Sequence, residues 1–347
     1  MTSSFLAPVV DEIQVPLRQW LTLQAELLIA AVARGEPGAA DVLRFAGVDG
    51  GLQGLGLDLD TARLAVAKDH WFADWPDALA HGDDTVNARF ETAADAVHEG
   101  NLDALRRLLD EEPSLVRRHS PFPHRQTLLH QVAANGIEAE RQRPSPANAV
   151  DVLRLLVERG AAPDAICDSY GGGNGATTMC LLVSSVHPFD AGVHAALVRE
   201  LCRSGARVDG IDDDSAPLWT AISSGYTEAA EALVDHGARV DQLCLAAALG
   251  DLDTVRGHFA ADGRLRPGTR SERIAPRGPT LPRGQLVEYA LIWATAHGRR
   301  HVVEYLLTKE PDLRVTEPLF HSTALGMARY HGQSDLIALL DRHAGGA

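Results

Sequence analysis

Apolar residues between about 89 and 345 fall into short runs that recur every few tens of residues. In Leu128-Leu129-His130-Gln131-Val132-Ala133-Ala134 and in Val152-Leu153-Arg154-Leu155-Leu156-Val157 they lie three and four apart. That spacing puts one apolar stripe on a helix of period 3.6. Glycines punctuate the runs at Gly100, Gly136, Gly225, Gly250, Gly298 and Gly332. Counting nine residues back predicts helix starts at Glu91, Thr127, Ala216, Asp241, Tyr289 and Thr323. After each corner an apolar doublet is followed by another, as in Ala104-Leu105 with Leu108-Leu109 and Val302-Val303 with Leu306-Leu307. A further unit fits without the corner glycine: 177–183, then 197–206. The pattern predicts seven helix-turn-helix units stacked as an all-α solenoid with little or no β-sheet. Repetition of this period signals such an array, and an array is first of all a binding surface.

The first 88 residues do not share the repeat. They are read as an N-terminal helical capping region (1–88) ahead of the array (89–347). Val15 to Arg34 predicts a helix with Leu17, Leu21, Leu28 and Ala31 on one side, ended by Gly35-Glu36-Pro37-Gly38. Residues 47–56 are Gly-rich and read as a loop. A short helix over 60–70 follows, with Asp58 or Asp60 placed to cap it. Trp71, Phe72 and Trp75 carry too much apolar area to stay wet, and are expected to cover the exposed end of the first repeat.

With these residues in view, the chain resembles the ankyrin-repeat family. The matches are Thr127-Leu128-Leu129-His130, Ala216-Pro217-Leu218-Trp219, and the Gly-Ala pairs at Gly160, Gly205 and Gly237. They cover roughly three quarters of the chain. One unit alone keeps the Pro-Leu pair and one alone keeps the histidine. The resemblance implies that His130 supports its turn through hydrogen bonds. The segment 62–79 looks like a leader found ahead of some bacterial arrays, which suggests a bacterial source.

Net charge is −15, which argues against nucleic acid, whose phosphates need a basic footprint. No apolar stretch of about eighteen uncharged residues predicts a membrane span, and the first ten residues do not read as a signal peptide. Cys167, Cys180, Cys202 and Cys244 lack CxxC spacing. They are expected to be free thiols, which fits a reducing cytoplasm. No motif calls for a cofactor, and no HExxH-like spacing calls for a metal.

Four inserts interrupt the repeats: 137–148, 168–178, 187–194 and 261–283. The last is Pro/Gly-rich, with six arginines against Asp262 and Glu272, and reads as a mobile solvated loop. Loops of an array often carry its function. Gly171, Gly172, Gly173 and Asn174, ahead of a helix, are candidates to cradle an anion, although neither a Walker nor a dinucleotide motif is present. His130, beside the glycine loop, is a candidate general base, and His187, outside the repeat pattern, is a second functional candidate, with Asp168 and Tyr170 placed to orient or assist it. Trp219 is a candidate ligand contact.

Two functions follow. The first is an interaction scaffold that binds a protein partner through its concave face and inserted loops. The second is a small-molecule binder or enzyme with a polar pocket between the inserts near His130, Tyr170 and His187. A broad open groove would favour the first, and a deep closed polar pocket the second.

Overall fold

The computed structural model describes residues 5–48, 56–82, 84–169, 175–274 and 279–344. Among them the chain is all-α, with three two-stranded sheets of two or three residues per strand. It divides into two compact units, Met1–Arg207 and Val208–Ala347.

The first unit opens with β1 (Gln14–Pro16) and α1 (Leu17–Arg34). Leu17, Leu21, Leu28 and Ala31 are fully buried, as the spacing predicts. Gly35 closes α1 in the left-handed conformation, its N–H returned to the Ala31 and Val32 carbonyls. Helices α2 (Pro37–Phe45), α3 (Leu59–Asp69) and α4 (Trp75–Ala80) pack around α1 in one apolar core. Asp58 caps α3 by accepting from the Thr61 N–H at 2.9 Å. Trp71, Phe72 and Trp75 pack within this leader: Phe72 is buried, Trp71 meets Phe45 edge-on at 5.7 Å, and the Arg63 guanidinium lies over Trp75. Strand β2 (Thr85–Asn87) pairs antiparallel with β1, with Val15 opposite Val86.

Three helix pairs follow in this unit. They are α5 (Ala88–Glu99) with α6 (Leu102–Glu111), α7 (Leu128–Gln131) with α8 (Ala149–Glu158), and α9 (Thr178–Leu182) with α11 (His194–Arg203). The first helices α5, α7 and α9 pack in sequence, and so do the second helices α6, α8 and α11. The insert 187–194 contributes a short extra helix, α10 (Val186–Asp190). The hairpin β3 (Ile166–Cys167) and β4 (Ala176–Thr177) flanks the glycine run. Tyr170, Gly171, Gly172, Gly173 and Asn174 themselves lie outside the described residues, as do 49–55 of the Gly-rich leader loop.

The second unit repeats the pairing. It contains α12 (Ala216–Ser223) with α13 (Thr227–Asp235), and α14 (Leu243–Leu249) with α15 (Leu252–Gly257). Then come α16 (Leu286–Ala296) with α17 (Arg300–Leu307), and α18 (Ala324–Tyr330) with α19 (Ser334–Ala344). The first helices α12, α14, α16 and α18 pack in order.

All six corner glycines have positive φ, between 65° and 86°, a region that glycine enters without a Cβ penalty. At Gly100 the demand is double, because φ is +67° and a Cβ would collide with the Asn148 side chain. That side chain donates to the Gly100 carbonyl at 2.8 Å. Three helix starts differ from the nine-residue count by two residues or more. Helix α5 begins earlier because Asn87 accepts from the Phe90 N–H at 2.9 Å. Helix α14 begins two residues after Asp241, and α16 begins after a 3-10 turn at Arg283–Gln285.

The insert 261–283 is not the solvated loop that its composition suggests. Strands β5 (Glu272–Arg273) and β6 (Thr280–Leu281) pair antiparallel. Ile274 and Leu281 are buried. The buried Glu272 carboxylate accepts from the Leu243 N–H at 2.6 Å and the Cys244 N–H at 3.0 Å, capping α14. Arg283 donates to the carbonyls of Leu265, Arg266 and Thr269. Two apolar side chains and one carboxylate anchor an otherwise basic, Pro/Gly-rich segment.

Candidate functional site

Two places concentrate charge. The first lies in the first unit, where the insert 137–148 returns as a 3-10 turn (Ala139–Arg141) and carries Glu138 and Arg141 against the leader and α5. The cavity beside it encloses about 210 Å³. The leader supplies Trp20, Gln24, Asp69 and His70, α5 supplies Glu91, Thr92 and Asp95, the insert supplies Glu138, Glu140 and Arg141, and 6–10 close one side.

The hydrogen bonds fix most of the proton positions here. His124 accepts from the Gln126 N–H on Nδ1 and donates from Nε2 to Glu138 Oε1, each at 3.1 Å. It is therefore the neutral Nε2–H tautomer, assigned from its partners. His70 faces Glu138 Oε1 from Nδ1 at 3.1 Å and Gln24 Oε1 from Nε2 at 2.7 Å. The Gln24 amide donates to the Leu6 carbonyl, which sets its orientation. Both His70 nitrogens face acceptors, so making both bonds requires an imidazolium. The Phe122 ring stacks on it with centroids 3.9 Å apart, which is favourable for a cation.

Arg141 uses every N–H it has. Its Nε and one terminal nitrogen reach Asp95 Oδ1 at 3.0 and 2.8 Å. That nitrogen also donates to the Glu91 carbonyl. The other donates to Glu91 Oε2 at 2.7 Å and to Glu138 Oε2 at 3.4 Å. Burial opposes its charge, but Asp95, Glu91 and Glu138 outweigh burial and hold it well above the usual arginine range. Burial also pushes Glu138 up, yet the hydrogen bonds from His124 and His70 and the Arg141 charge hold it well below the carboxylate range. Glu91 is raised, by burial first, with Arg141 opposing. Asp69 is pushed up to about 7 by burial, with His70 and the bond from the Ala139 N–H opposing. Five carboxyl groups thus meet one guanidinium and one doubly bonded imidazole, an excess of carboxyl groups over cations that goes with the upward shifts of Asp69 and Glu91.

The second place is a broad groove in the second unit, enclosing about 1150 Å³. The turns carrying Asp213, Asp214, Arg239 and Asp241 form one wall, and the ordered insert with Arg266, Arg270 and Arg273 forms the other. Arg239 bridges two turns, pairing with Asp209 at 3.3 Å and Asp213 at 3.1 Å. Arg270 and Arg273 are exposed.

The sequence-derived candidates lie elsewhere. His130 is fully buried. Its Nδ1 accepts from the Thr127 backbone N–H at 3.1 Å and lies 2.8 Å from the Thr127 hydroxyl. Its Nε2 donates to the Ala165 carbonyl at 2.9 Å. Burial, against that last bond, lowers it to about 3, so it is neutral and fully committed to joining two turns. Asp168 is half-buried, and its N–H donates to the His124 carbonyl. His187 is half-buried on α10, lowered by burial against the opposing Asp190, and its carbonyl accepts from the Ser145 N–H. Trp219 is a core residue of the second unit, edge-on to Trp293 at 5.6 Å with its Nε1 donating to Gln242 at 2.8 Å. Among the described residues no three His, Cys, Asp or Glu side chains converge as metal ligands. None of the four cysteines forms a disulfide.

The sequence reading missed Gln24, Asp69, His70, Glu91, Asp95 and His124. One signal was available: Glu91 and Asp95, four apart and so on one face of α5, match the acid–base content of the insert 137–148.

No family model matches the chain, and no curated protein matches it. Solved structures similar to it include two ankyrin repeat domains. One is the human ASB11 ankyrin repeat domain, at 17% identity over 68% of this chain and 90% of that one, with a TM-score of 0.38. The other is the ankyrin repeat domain of Bcl-3, at 20% identity over 71% and 97%, with a TM-score of 0.36. The repeat character of this chain stands on its own helix pairs, left-handed corner glycines and buried His130 turn support, which make it an all-α array of helix-turn-helix repeats.

Proposed function

We propose that this chain is a repeat scaffold that binds a protein partner, and that an extended segment of the partner lies in the groove of the second unit. The groove between the turns at 213–214 and 239–242 and the insert carries this reading. At about 1150 Å³ it exceeds the ~300–1,000 Å³ of small-molecule pockets. Its walls are mainly polar turns and arginines, with His258 and Asp241 among the lining residues. Apolar side chains stand exposed at repeat turns of both units, Ile166 in one and Phe320 in the other, where partner contacts of such scaffolds form. Cysteines outside any disulfide fit a reducing compartment such as the cytoplasm. Among the described residues no helix is long and apolar enough to cross a membrane.

The test is affinity capture of partners with the parent chain and with the double variant Arg270→Glu, Arg273→Glu. The expected result is a partner held by the parent and lost by the variant, at equal helicity and melting temperature. An identical set of captured proteins would refute the groove.

A further inference from the structure

We propose that the cavity between leader and first repeat binds a small organic ammonium ion that also carries an oxygen acceptor, an amino alcohol in the simplest form. The site is separate from the groove, and the inference does not depend on the groove reading.

The charge balance comes first. Asp69, Glu91, Asp95, Glu138 and Glu140 line the cavity together with only Arg141 and His70 as cationic groups. Arg141 has no N–H left over, and Glu138 is bonded through both oxygens. The internal cations are spent, while negative charge remains. Buried charge without a partner is costly, so the site gains from a guest cation.

Two side-chain atoms point to the chemistry of the guest. Glu91 is 4% exposed, and its Oε1 has no partner although Oε2 holds Arg141. Trp20 is 4% exposed, and its indole Nε1, an obligate donor, has no partner. Both residues line the cavity. An ammonium group satisfies the carboxylate oxygen, and a hydroxyl oxygen satisfies the indole. The space equals roughly seven water volumes at about 30 Å³ each, which suits a chain of a few carbons. Leu6, Val10 and Ala88 offer such a chain an apolar flank. A bare metal ion fits less well, because no three donors converge among the described residues.

The segment 5–10 closes the site and is itself tied to it. The Phe5 N–H donates to Glu140 Oε1 at 2.9 Å, and the Leu6 carbonyl accepts from Gln24. Binding is therefore expected to tighten the attachment of the chain's beginning to the first repeat.

The experiment uses the full chain and three probes of matched size: 4-aminobutan-1-ol, 1-butylamine and butane-1,4-diol. Melting temperature and isothermal titration are measured near neutral pH at low salt. The expected order is amino alcohol, then amine, with no binding by the diol. Trp20→Phe should weaken the amino alcohol about five-fold and leave the amine unchanged, since it removes one hydrogen bond to the hydroxyl. Glu91→Gln should weaken both amines about ten-fold or more. If that variant fails to fold, Trp20→Phe alone still decides. Equal binding of the diol, or no amine binding up to about 10 mM, would overturn the proposal and leave a water-filled structural network.

Discussion

Replacing Arg141 with methionine tests the central ionic cluster directly. The substitution keeps the length of the side chain and removes all five N–H donors. Glu91 Oε2, Asp95 Oδ1 and the Glu91 carbonyl lose their short contacts, and Glu138 loses one of its three partners. Breaking a buried pair by deleting one member costs about 3–5 kcal/mol, because the other charge stays uncompensated. Against a domain stability of about 5–15 kcal/mol that is a large fraction, worth about 6–20 °C in melting temperature for a unit of this size. The pH dependence has a definite sign. In the parent, Glu138 is held below its unfolded value, so its stabilising effect is present at neutral pH and is lost as pH falls. Without Arg141 the buried carboxylates shift upward, and protonation relieves them. The gap between parent and variant should therefore be widest near pH 8 and narrow toward about pH 5. Urea unfolding followed by circular dichroism at several pH values measures it, with Arg107→Met on the exposed face of α6 as the control. A loss under about 1 kcal/mol, or a gap that widens in acid, would refute the buried-network reasoning.

Other outcomes follow from individual residues. Asp69→Asn should stabilise the protein near pH 8, by up to about 4 kcal/mol, since it removes a carboxyl pushed up to about 7. The gain should shrink as pH falls below about 7 and vanish only near about pH 4, where the carboxyl is protonated in both the native and the unfolded chain. Leu233, fully buried in α13, should cost about 2–5 kcal/mol as Leu233→Ala, and a denaturant midpoint unchanged from the parent would contradict the packing. Glu272→Ala removes the cap on α14 at a cost of about 1–3 kcal/mol, and limited trypsin digestion should then cut faster within 264–283. His130→Ala should lower the melting temperature, because it removes the hydrogen bonds that join two turns; a melting temperature equal to the parent's would contradict that role.

Local rules made the helix pairs legible. Apolar doublets at helical spacing need a partner face, and the glycines sit where each first helix must reverse. All six corner glycines adopt the left-handed conformation that such reversals require. His130, placed by the repeat pattern, turned out to be the sealed turn support that the pattern implies. Asp58, beside a helix start, caps it. In each case the cause lies within a few residues of the effect, so the sequence contains it.

The charged cavity had no such local signature. Asp69, Glu91 and the Glu138–Arg141 pair stand far apart in sequence, and each alone looks like ordinary surface chain. Only the packing of the insert 137–148 onto the leader and α5 buries them together, and burial turns scattered charges into a coupled network. The insert 261–283 follows the same logic. Its composition reads as solvated chain, because the few side chains that decide otherwise are a minority within it. Ile274 and Leu281 find apolar partners, and Glu272 finds two unpaired helix N–H groups. Periodicity and turn chemistry, which act over a few residues, were set by the sequence alone. The meeting of distant polar groups, whose energy depends on exclusion from water, was decided by the tertiary structure.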